Sequence, residues 1–169
     1  PWHWSDYNEH RIYKFSMNDA TNGATNLLSK AGDPSSGQFY DWEFNADAIF
    51  STNASWSQMT GITTTGSDAN ASLWIANAWG DEFFKLDQNG GQLASKYPEP
   101  RPDQVDGIAY SSSLNAIYTV DAQNNRLEQW SVDGKRLNQW SIDDGANPVP
   151  GMRGVTVKAE SGKDIIHIG

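Results

Sequence analysis

The sequence predicts an all-β fold, a β-propeller segment of about three four-stranded antiparallel blades. The main observation that supports this prediction is an internal repeat. Residues 116–140 alternate apolar and polar positions, and turn residues at 123–125 and 133–134 divide them into a meander of three short strands. Similar meanders occur at residues 73–97 and, in shorter form, at residues 2–15. Repetition of one strand pattern indicates repeated blades around a common axis.

The second and third copies of the repeat are related by a constant offset. Ile117 lies 44 positions after Leu73, and Arg126 lies 44 positions after Glu82. The N-terminal copy aligns with the second one at an offset of 71, which predicts an insertion in the first unit. Within the third copy, Asp133 and Gly134 are expected to supply the positive φ angles of a tight hairpin turn.

A short apolar strand marked by glycine precedes each full meander. Gly61, Gly107 and Gly154 mark these strands and are 46 and 47 positions apart. A fourth strand in each period of about 40 to 50 residues matches the size of one propeller blade. These glycine-marked strands are therefore expected to be the innermost strands of their blades.

The chain is predicted to form one propeller segment over residues 1–169. Its blade units cover about 1–55, 56–102 and 103–150, and residues 151–169 begin a further blade. Within the first unit, residues 26–30 favour one further strand. The alternating aromatic residues of 39–50 are compatible with an inserted hairpin, an aromatic loop on one propeller face or a short helix.

The third copy resembles the NHL repeat. The run IYTVDAQNNRLEQWSVDGK at residues 117–135 has a strand ending in Asp, a polar turn with Asn, an Arg, a further strand and then Asp-Gly. The run DYNEHRIYKFS at residues 6–16 is a second match, whereas residues 80–82 of the middle copy depart from the pattern. This resemblance, and a looser one to gluconolactonase-like propellers, implies that the segment is part of a six-bladed ring.

An arc of about three blades is predicted to leave strand edges and apolar blade faces without cover. Closed propellers have typically 4 to 8 blades, so the expected partners are the remaining blades, supplied by the same longer chain or by a second copy. The chain starts in the second strand of one blade and stops in the second strand of another. If a second copy closed the ring, two second strands would therefore occupy the same position in one blade. That redundancy favours a segment of a longer propeller.

Composition limits the classes of partner. The chain carries 12 Lys and Arg against 21 Asp and Glu, a net charge of -9, which disfavours nucleic acid and anionic membranes. It has no cysteine and no apolar run of the roughly 20 residues that a membrane span needs. Asn53 and Asn70 begin Asn-Ala-Ser glycosylation sequons, and together with the absence of cysteine they favour a secreted or periplasmic protein.

The residues just before the repeated glycines are candidates to face a central funnel. These are Thr60, Asp106 and Arg153, which differ in chemistry at one otherwise repeated position. With Trp79 they form the predicted ligand-binding set.

A second position, at the ends of the following strands, carries Asp6, Asn77 and Asp121 in three repeats. The favoured interpretation is structural, because a short oxygen-bearing side chain can accept backbone N–H groups in the turn that follows. The alternative, implied by the gluconolactonase-like resemblance, is a site for Ca²⁺ or another divalent cation formed by Asp106, Asn77 and Asp121. No cofactor is firmly indicated.

His3 and His167 are further candidate metal ligands. They lie in comparable strands near the two ends of the arc and would approach each other only if the ring closes. A zinc site would also need a third ligand, and packing within the strands is the favoured interpretation.

The tryptophans divide into two groups. Trp74, Trp130 and Trp140 occupy strand positions that are apolar in other repeats, so they are predicted to pack between blades. The others are less constrained, and exposed aromatic rings can stack on sugars or anchor protein partners. They are Trp2, Trp4, Trp42, Trp56 and Trp79.

Two functional classes remain open. The first is a non-catalytic binding or scaffolding module that presents a face or funnel to a protein, peptide or carbohydrate. The second is a metal-dependent propeller enzyme of the lactonase, hydrolase or lyase type, with Asp106 or His3 as base and Arg153 holding an anionic substrate. The sequence has no phosphate loop, zinc-protease motif or serine nucleophile elbow.

Overall fold

A computed structural model describes residues 2–6, 11–15, 40–45, 59–66, 71–78, 82–87, 104–143, 145, 147–149, 151–160 and 163–169. Within these ranges the chain forms β-strands joined by turns and contains no helix. None of these residues therefore belongs to a helix that could cross a membrane. The strands are β1 (Trp2–Asp6), β2 (Arg11–Phe15), β3 (Tyr40–Asn45), β4 (Met59–Thr65), β5 (Ser72–Asn77), β6 (Glu82–Asp87), β7 (Gly107–Ser111), β8 (Ala116–Asp121), β9 (Arg126–Ser131), β10 (Arg136–Ser141), β11 (Val155–Glu160) and β12 (Lys163–Ile168).

The strands form four antiparallel sheets, and each sheet lies within one of the four predicted units. The first sheet has the order β1-β2-β3, the second β4-β5-β6, the third β7-β8-β9-β10 and the fourth β11-β12. Neighbouring strands in each sheet are also consecutive in the chain, as a meander requires. The predicted fold class, an all-β propeller segment, is confirmed.

The register of the sheets repeats as the sequence offsets predict. Asp121 pairs with Arg126 where β8 meets β9, and Asn77 pairs with Glu82, 44 positions earlier, where β5 meets β6. Asp6 pairs with Arg11 in the first sheet, at the offset of 71. A slip of one residue would exchange the two faces of a strand, so a shared register places equivalent side chains on equivalent faces.

The sheets pack face to face, and their inner strands β4, β7 and β11 lie side by side in the order of the chain. Strand β7 contacts β4 on one side and β11 on the other. One apolar cluster lies within the second sheet, a second joins the second and third sheets, and a third joins the third and fourth sheets. A sheet that is covered on both faces needs apolar residues at consecutive positions, and β5 and β8 are buried along their whole length.

Aromatic side chains form the centre of the packing between the second and third sheets. The Phe83 ring lies 5.5 Å from Trp74 and 5.3 Å from Trp130, the latter edge to face. The Trp130 indole N–H donates to Thr119 Oγ1 at 2.8 Å, which satisfies its polar group in the core. The predicted packing of Trp74 and Trp130 between blades is therefore confirmed.

The same prediction is wrong for Trp140. Its side chain is 44% exposed. Trp140 lies on β10, the outer strand of the third sheet, and the fourth sheet that would cover this face has two strands among the described residues. Among the described residues, the fourth sheet does not extend far enough to cover Trp140.

Two local predictions in the sequence are corrected by the structure. Residues 40–45 form the strand β3, which pairs with β2, so this part of the aromatic stretch is neither a loop nor a helix, and the hairpin alternative stays open because residues 46–50 lie outside the described residues. In the β9–β10 turn, Gly134 alone has a positive φ, of 81°, and Ser131 N donates to Lys135 O across a three-residue connection. That connection needs one left-handed residue, whereas the two-residue turn that was predicted needs two. The strand predicted at residues 26–30 lies outside the described residues.

The repeated glycines have a steric explanation. A Cβ atom on Gly107 would lie 2.6 Å from the carbonyl oxygen of Arg153, and one on Gly61 would lie 3.1 Å from Ile108 Cγ2. At both positions the backbone of one inner strand approaches the next inner strand too closely for a side chain. On Gly154, by contrast, a Cβ would meet only Gly169 O, at 3.5 Å.

This difference predicts that Gly107→Ala destabilises the fold and that Gly154→Ala does not. Overpacking against a backbone carbonyl should lower the free energy of unfolding by about 1–3 kcal/mol. The Gly154 variant should remain within about 0.5 kcal/mol of the parent chain. Urea unfolding of the three proteins measures both values, and equal losses in the two variants would contradict the close approach at Gly107.

Candidate functional site

The three predicted funnel residues lie at neighbouring inner strands. Thr60 belongs to β4, Asp106 directly precedes β7 and Arg153 precedes β11. The Thr60 hydroxyl donates to the carbonyl of Val105 at 2.7 Å, which joins the second and third sheets. The close approach of Gly107 to the Arg153 carbonyl joins the third and fourth sheets in the same way.

The Asp106 carboxylate is engaged within the fold. Its side chain is 3% exposed, and both of its oxygens accept Gln104 Nε2 at 2.8 Å. One of them also accepts the backbone N–H of Ala122 at 2.8 Å. These bonds attach the start of β7 to the turn that follows β8, so Asp106 has a clear structural role.

The remaining members of the predicted ligand-binding set do not converge with Asp106 into a described cleft. Thr60 uses its hydroxyl for the contact between sheets, and Arg153 is exposed. Trp79 lies outside the described residues, as do the sequon residues Asn53 and Asn70. Ligand binding by this set stays a prediction.

Of the three strand-end residues, Asp121 acts as the favoured structural interpretation predicted, whereas Asn77 is a hydrogen-bond donor to a side chain. Asp121 Oδ1 accepts the backbone N–H of Asn124 at 2.9 Å, and Asp121 Oδ2 accepts Asn124 Nδ2 at 2.7 Å. Asn77 donates from Nδ2 to Glu82 Oε1 at 3.2 Å. The predicted role of Asp121, acceptance of a backbone N–H in the turn that follows its strand, is confirmed.

The same contacts bear on the predicted cation site. The carboxylate oxygens of Asp106 and Asp121 accept N–H groups, which hold both carboxylates in place within the fold. Among the residues that the structure describes, no three His, Asp or Glu side chains are grouped as metal ligands. A divalent cation at Asp106, Asn77 and Asp121 stays a prediction.

The two terminal histidines occupy an inter-sheet position. His167 pairs with Thr156, as Tyr118 pairs with Ala109 and Trp74 pairs with Thr63. The offset of 71 places His3 at the same position as Trp74, and His3 pairs with Lys14. Trp74 and Tyr118 are buried between sheets, whereas the His167 side chain is exposed on the outer face of the fourth sheet. The exposure of His167 does not support its packing between sheets, and metal ligation by His3 and His167 stays a prediction.

An apolar groove that sequence reasoning did not identify lies beside the fourth sheet. Its volume is about 370 Å³, and Lys163 lies at its rim. We call it the Trp140 groove. It is lined by Leu114, Tyr118, Leu127, Trp140, Asp164 and Ile166. The signal that could have found it is the position of Trp140, an expected inter-blade tryptophan, next to a blade of which the structure describes two strands.

A chain of polar contacts includes two residues of the Trp140 groove, Tyr118 and Asp164. Asp164 accepts the Ser113 hydroxyl and, at 3.4 Å, the Tyr118 hydroxyl. Gln129 Nε2 donates to the Tyr118 hydroxyl at 3.0 Å, and Asn138 Nδ2 donates to Gln129 Oε1 at 2.6 Å. Burial, followed by the charge of Asp164, raises the pKa of Tyr118 above its ordinary value.

A second cleft, of about 320 Å³, lies on the turn side of the third sheet. Polar residues dominate its lining, and Asn125 adopts a left-handed conformation there with φ 52°. Its polar lining residues are Asn124, Asn125, Ser141, Asp143 and Asn147. It is separate from the Trp140 groove and has less apolar surface for a protein partner to cover.

Comparisons with known proteins support the fold. Neither a scan of protein-family models nor a search of curated proteins gave a match. Among solved structures, this chain is similar to Saccharomyces cerevisiae Sqt1, with a TM-score of 0.52 and 7% identity over 89% of this chain and 36% of that one. At this identity the likeness describes the fold alone.

Two further solved structures match with lower TM-scores. The hydrazine synthase of Kuenenia stuttgartiensis matches with a TM-score of 0.47 and 13% identity, over 59% of this chain and 26% of that one. The RRP9 WD40 repeats match with a TM-score of 0.45 and 16% identity, over 58% of this chain and 28% of that one. This chain therefore spans about a quarter to a third of the length of the structures it matches.

The structural role of Asp106 gives a testable prediction. Asp106→Ala would leave the buried N–H of Ala122 without its acceptor, which should lower the free energy of unfolding by about 1–3 kcal/mol. Glu160→Ala, at an exposed carboxylate 3.8 Å from Lys158 Nζ, is the matched control and should change it by less than about 0.5 kcal/mol. Urea unfolding with and without EDTA measures the effect. A loss of stability in EDTA that Asp106→Ala abolishes would instead support the cation site.

Tyr118 gives a prediction about alkaline pH. Because its pKa is raised in the folded chain above the reference value of 10.0, its contribution to stability is complete below pH 10 and is lost as the pH rises above it. The unfolding free energy of the parent chain should therefore fall more steeply above pH 10 than that of Tyr118→Phe, by up to about 1.4 kcal/mol per pH unit. Urea unfolding between pH 9 and pH 11 measures the slopes, and parallel curves would contradict the burial of this hydroxyl.

Proposed function

We propose that this chain is a non-catalytic, NHL-like propeller segment that binds or scaffolds a protein or peptide partner. The NHL-like assignment rests on the sequence pattern at residues 117–135, which corresponds to β8, the polar turn and β9. The observation that carries the binding function is the Trp140 groove. Among the described residues, it presents an apolar surface at the side of the third sheet, next to a sheet of two strands.

The composition of the groove favours a polypeptide partner. Trp140 is 44% exposed and Leu114 is 53% exposed, and the charged side chains of Lys163 and Asp164 flank them. Interfaces between proteins characteristically have an aromatic or aliphatic anchor at the centre and polar groups at the rim. The groove volume of about 370 Å³ is sufficient for one or two large side chains.

The enzyme alternative has no comparable support among the described residues. It requires Asp106 or His3 as a base and Arg153 as the anchor for an anionic substrate. The Asp106 carboxylate is 3% exposed and accepts hydrogen bonds within the fold, which is a poor position for contact with a substrate. Secretion or periplasmic location, and glycosylation at Asn53 and Asn70, remain predictions of the sequence.

The test is a selection of peptides from a random phage-displayed library against the 169-residue chain. Peptides that use the Trp140 groove should bind Trp140→Ala at least about tenfold more weakly, because loss of a central aromatic anchor costs more than about 1.4 kcal/mol. Leu137→Ala is the matched control, since Leu137 is 53% exposed on the same strand and does not line the groove. Both variants should unfold at the parent urea midpoint.

Selected peptides that bind both variants as they bind the parent chain would place the interaction elsewhere. A selection that enriches no peptide would remove the support for a polypeptide partner. Isothermal titration gives the dissociation constants of the peptides for the parent chain and both variants. The urea midpoints show whether a weaker dissociation constant reflects a loss of folded protein.

A further inference from the structure

We propose that the polar cleft on the turn side of the third sheet binds a neutral saccharide. We call it the Asn125 cleft. One wall is the β8–β9 turn at Asn124 and Asn125, and the other is the connection that follows β10. None of its described lining residues belongs to the fourth sheet, and none lines the Trp140 groove. The site therefore adds a second class of ligand to the proposed function.

The two walls of the Asn125 cleft are held together by backbone hydrogen bonds. Ile142 N donates to Asn125 O at 2.7 Å, which joins the connection after β10 to the β8–β9 turn. Val149 N donates to Ile142 O at 3.3 Å, and Asp143 forms a β-bridge with Pro148, so the connection folds back on itself. A ligand therefore meets groups that are already in position, which lowers the entropic cost of binding.

Hydrogen bonds within each wall orient two of the polar lining residues. Asp121 accepts the backbone N–H of Asn124 at 2.9 Å and its Nδ2 at 2.7 Å. Asp143 Oδ1 accepts the backbone N–H of Gly145 at 3.0 Å. Within the part of the chain that the structure describes, no donor bonds to the other oxygen of either side chain, Oδ1 of Asn124 and Oδ2 of Asp143. Both oxygens are thus available to accept a ligand hydroxyl.

Asn125 supplies a further acceptor that the fold does not satisfy. Its Oδ1 is buried and accepts no hydrogen bond from any described residue. Buried polar atoms are normally hydrogen-bonded, so this atom needs a donor from elsewhere. The terminal torsion of an Asn side chain is broad, which allows the carboxamide to turn toward a donor in the cleft. A saccharide hydroxyl would supply that donor.

The lining chemistry favours a ligand that both donates and accepts hydrogen bonds. A carboxamide offers donors and an acceptor, as the Ser141 hydroxyl does, and the three carboxamides are those of Asn124, Asn125 and Asn147. Asp143 accepts only, and none of the described lining residues is Lys, Arg or His. The hydroxyl groups of a neutral saccharide match this set, whereas a phosphate or carboxylate would meet a negative charge without a cation to pair it.

The apolar part of the lining suits the C–H groups of a sugar ring. Ile142 and Pro148 lie beside the polar groups, and Ile142 also packs against the apolar cluster that joins the third and fourth sheets. These side chains can cover the C–H groups while the hydroxyls bond to the polar walls. The cleft volume of about 320 Å³ is at the lower end of the range for small-molecule sites, about 300–1,000 Å³, so we expect a mono- or disaccharide.

A hard cation fits the Asn125 cleft less well. Ca²⁺ takes about six to eight oxygen ligands, and its affinity depends on how many of them are charged. Among the described lining residues, Asp143 supplies the single carboxylate. The experiments below therefore include Ca²⁺ as the competing ligand.

The probe is an array of immobilised neutral, sialylated and sulfated glycans, which is incubated with the 169-residue chain. Neutral glycans should be retained in preference to the acidic ones. The terminal mono- or disaccharide of the neutral glycan that binds most strongly is then titrated into the isotope-labelled chain and followed by NMR. The backbone amides of Asn125, Ile142 and Asp143 and the side-chain amide of Asn125 should shift, whereas those of Leu114 and Ile166, in the Trp140 groove, should not.

Two left-handed asparagines provide a matched pair of variants. Asn125 has φ 52° and Asn115, in the β7–β8 turn, has φ 49°, so Gly can replace either one without backbone strain. Asn125→Gly removes a carboxamide from the cleft and should weaken saccharide binding at least about tenfold. Asn115→Gly removes a carboxamide that accepts the Tyr110 hydroxyl outside the cleft, and it should leave the dissociation constant unchanged. Urea midpoints show whether both variants remain folded.

A third variant, Asp143→Asn, separates a saccharide from a cation. It keeps an acceptor oxygen for Gly145 N and removes the negative charge. Saccharide binding should weaken less than in Asn125→Gly, because the hydroxyl groups still find an acceptor. In the parent chain, CaCl₂ without saccharide should leave the amides of the cleft unshifted, and EDTA should leave the saccharide dissociation constant unchanged.

Four results would overturn the saccharide site. They are retention of no neutral glycan, preference for the acidic glycans, equal losses of affinity in the two glycine variants, and shifts in the cleft with CaCl₂ alone that Asp143→Asn abolishes. The last result would identify a cation site instead. Peptide binding that depends on Trp140 is measured separately, so a failure here is distinguishable from a failure of the proposed function.

Discussion

Burial of both faces of each sheet is the requirement on which this architecture depends. A propeller blade is covered on each side by its neighbours, so its inner strands need apolar residues at consecutive positions rather than on alternate ones. Strands β5 and β8 satisfy this along their whole length. The inner strands also approach so closely that Gly107 has no room for a side chain. Packing between sheets therefore determines both the apolar pattern and the glycine spacing.

Polar residues beside the inner strands also stabilise the packing of the sheets. Thr60 bonds to the next sheet, Asp106 attaches the start of β7 to the turn after β8, and Asp121 stabilises that turn. Buried polar groups must be hydrogen-bonded, and here their partners are backbone groups of the repeat itself. Residue types that suggest a ligand site in the sequence thus hold in place one contact between sheets, the start of a strand and a turn.

The same requirement explains the Trp140 groove. The third sheet has four strands and the fourth has two among the described residues, so the outer part of one face of the third sheet has no sheet against it. Trp140 and Leu127, which are paired across β10 and β9, lie on that face. Among the described residues, this face of the third sheet therefore presents an accessible apolar surface. The proposed binding function rests on that surface.

The amino-acid sequence by itself determined the repeat, the strands of the second and third sheets that the structure describes and their register, because strand periodicity and turn residues are local and the offset of 44 repeats them. It also identified Gly61, Gly107 and Gly154 and the turn role of Asp121. It did not determine which inter-blade positions would be covered: Trp130 and Trp140 have similar patterns, yet one is buried and the other is 44% exposed. Only the tertiary structure decided this, since burial depends on how far the neighbouring sheet extends, and a residue's own strand contains no information about that width.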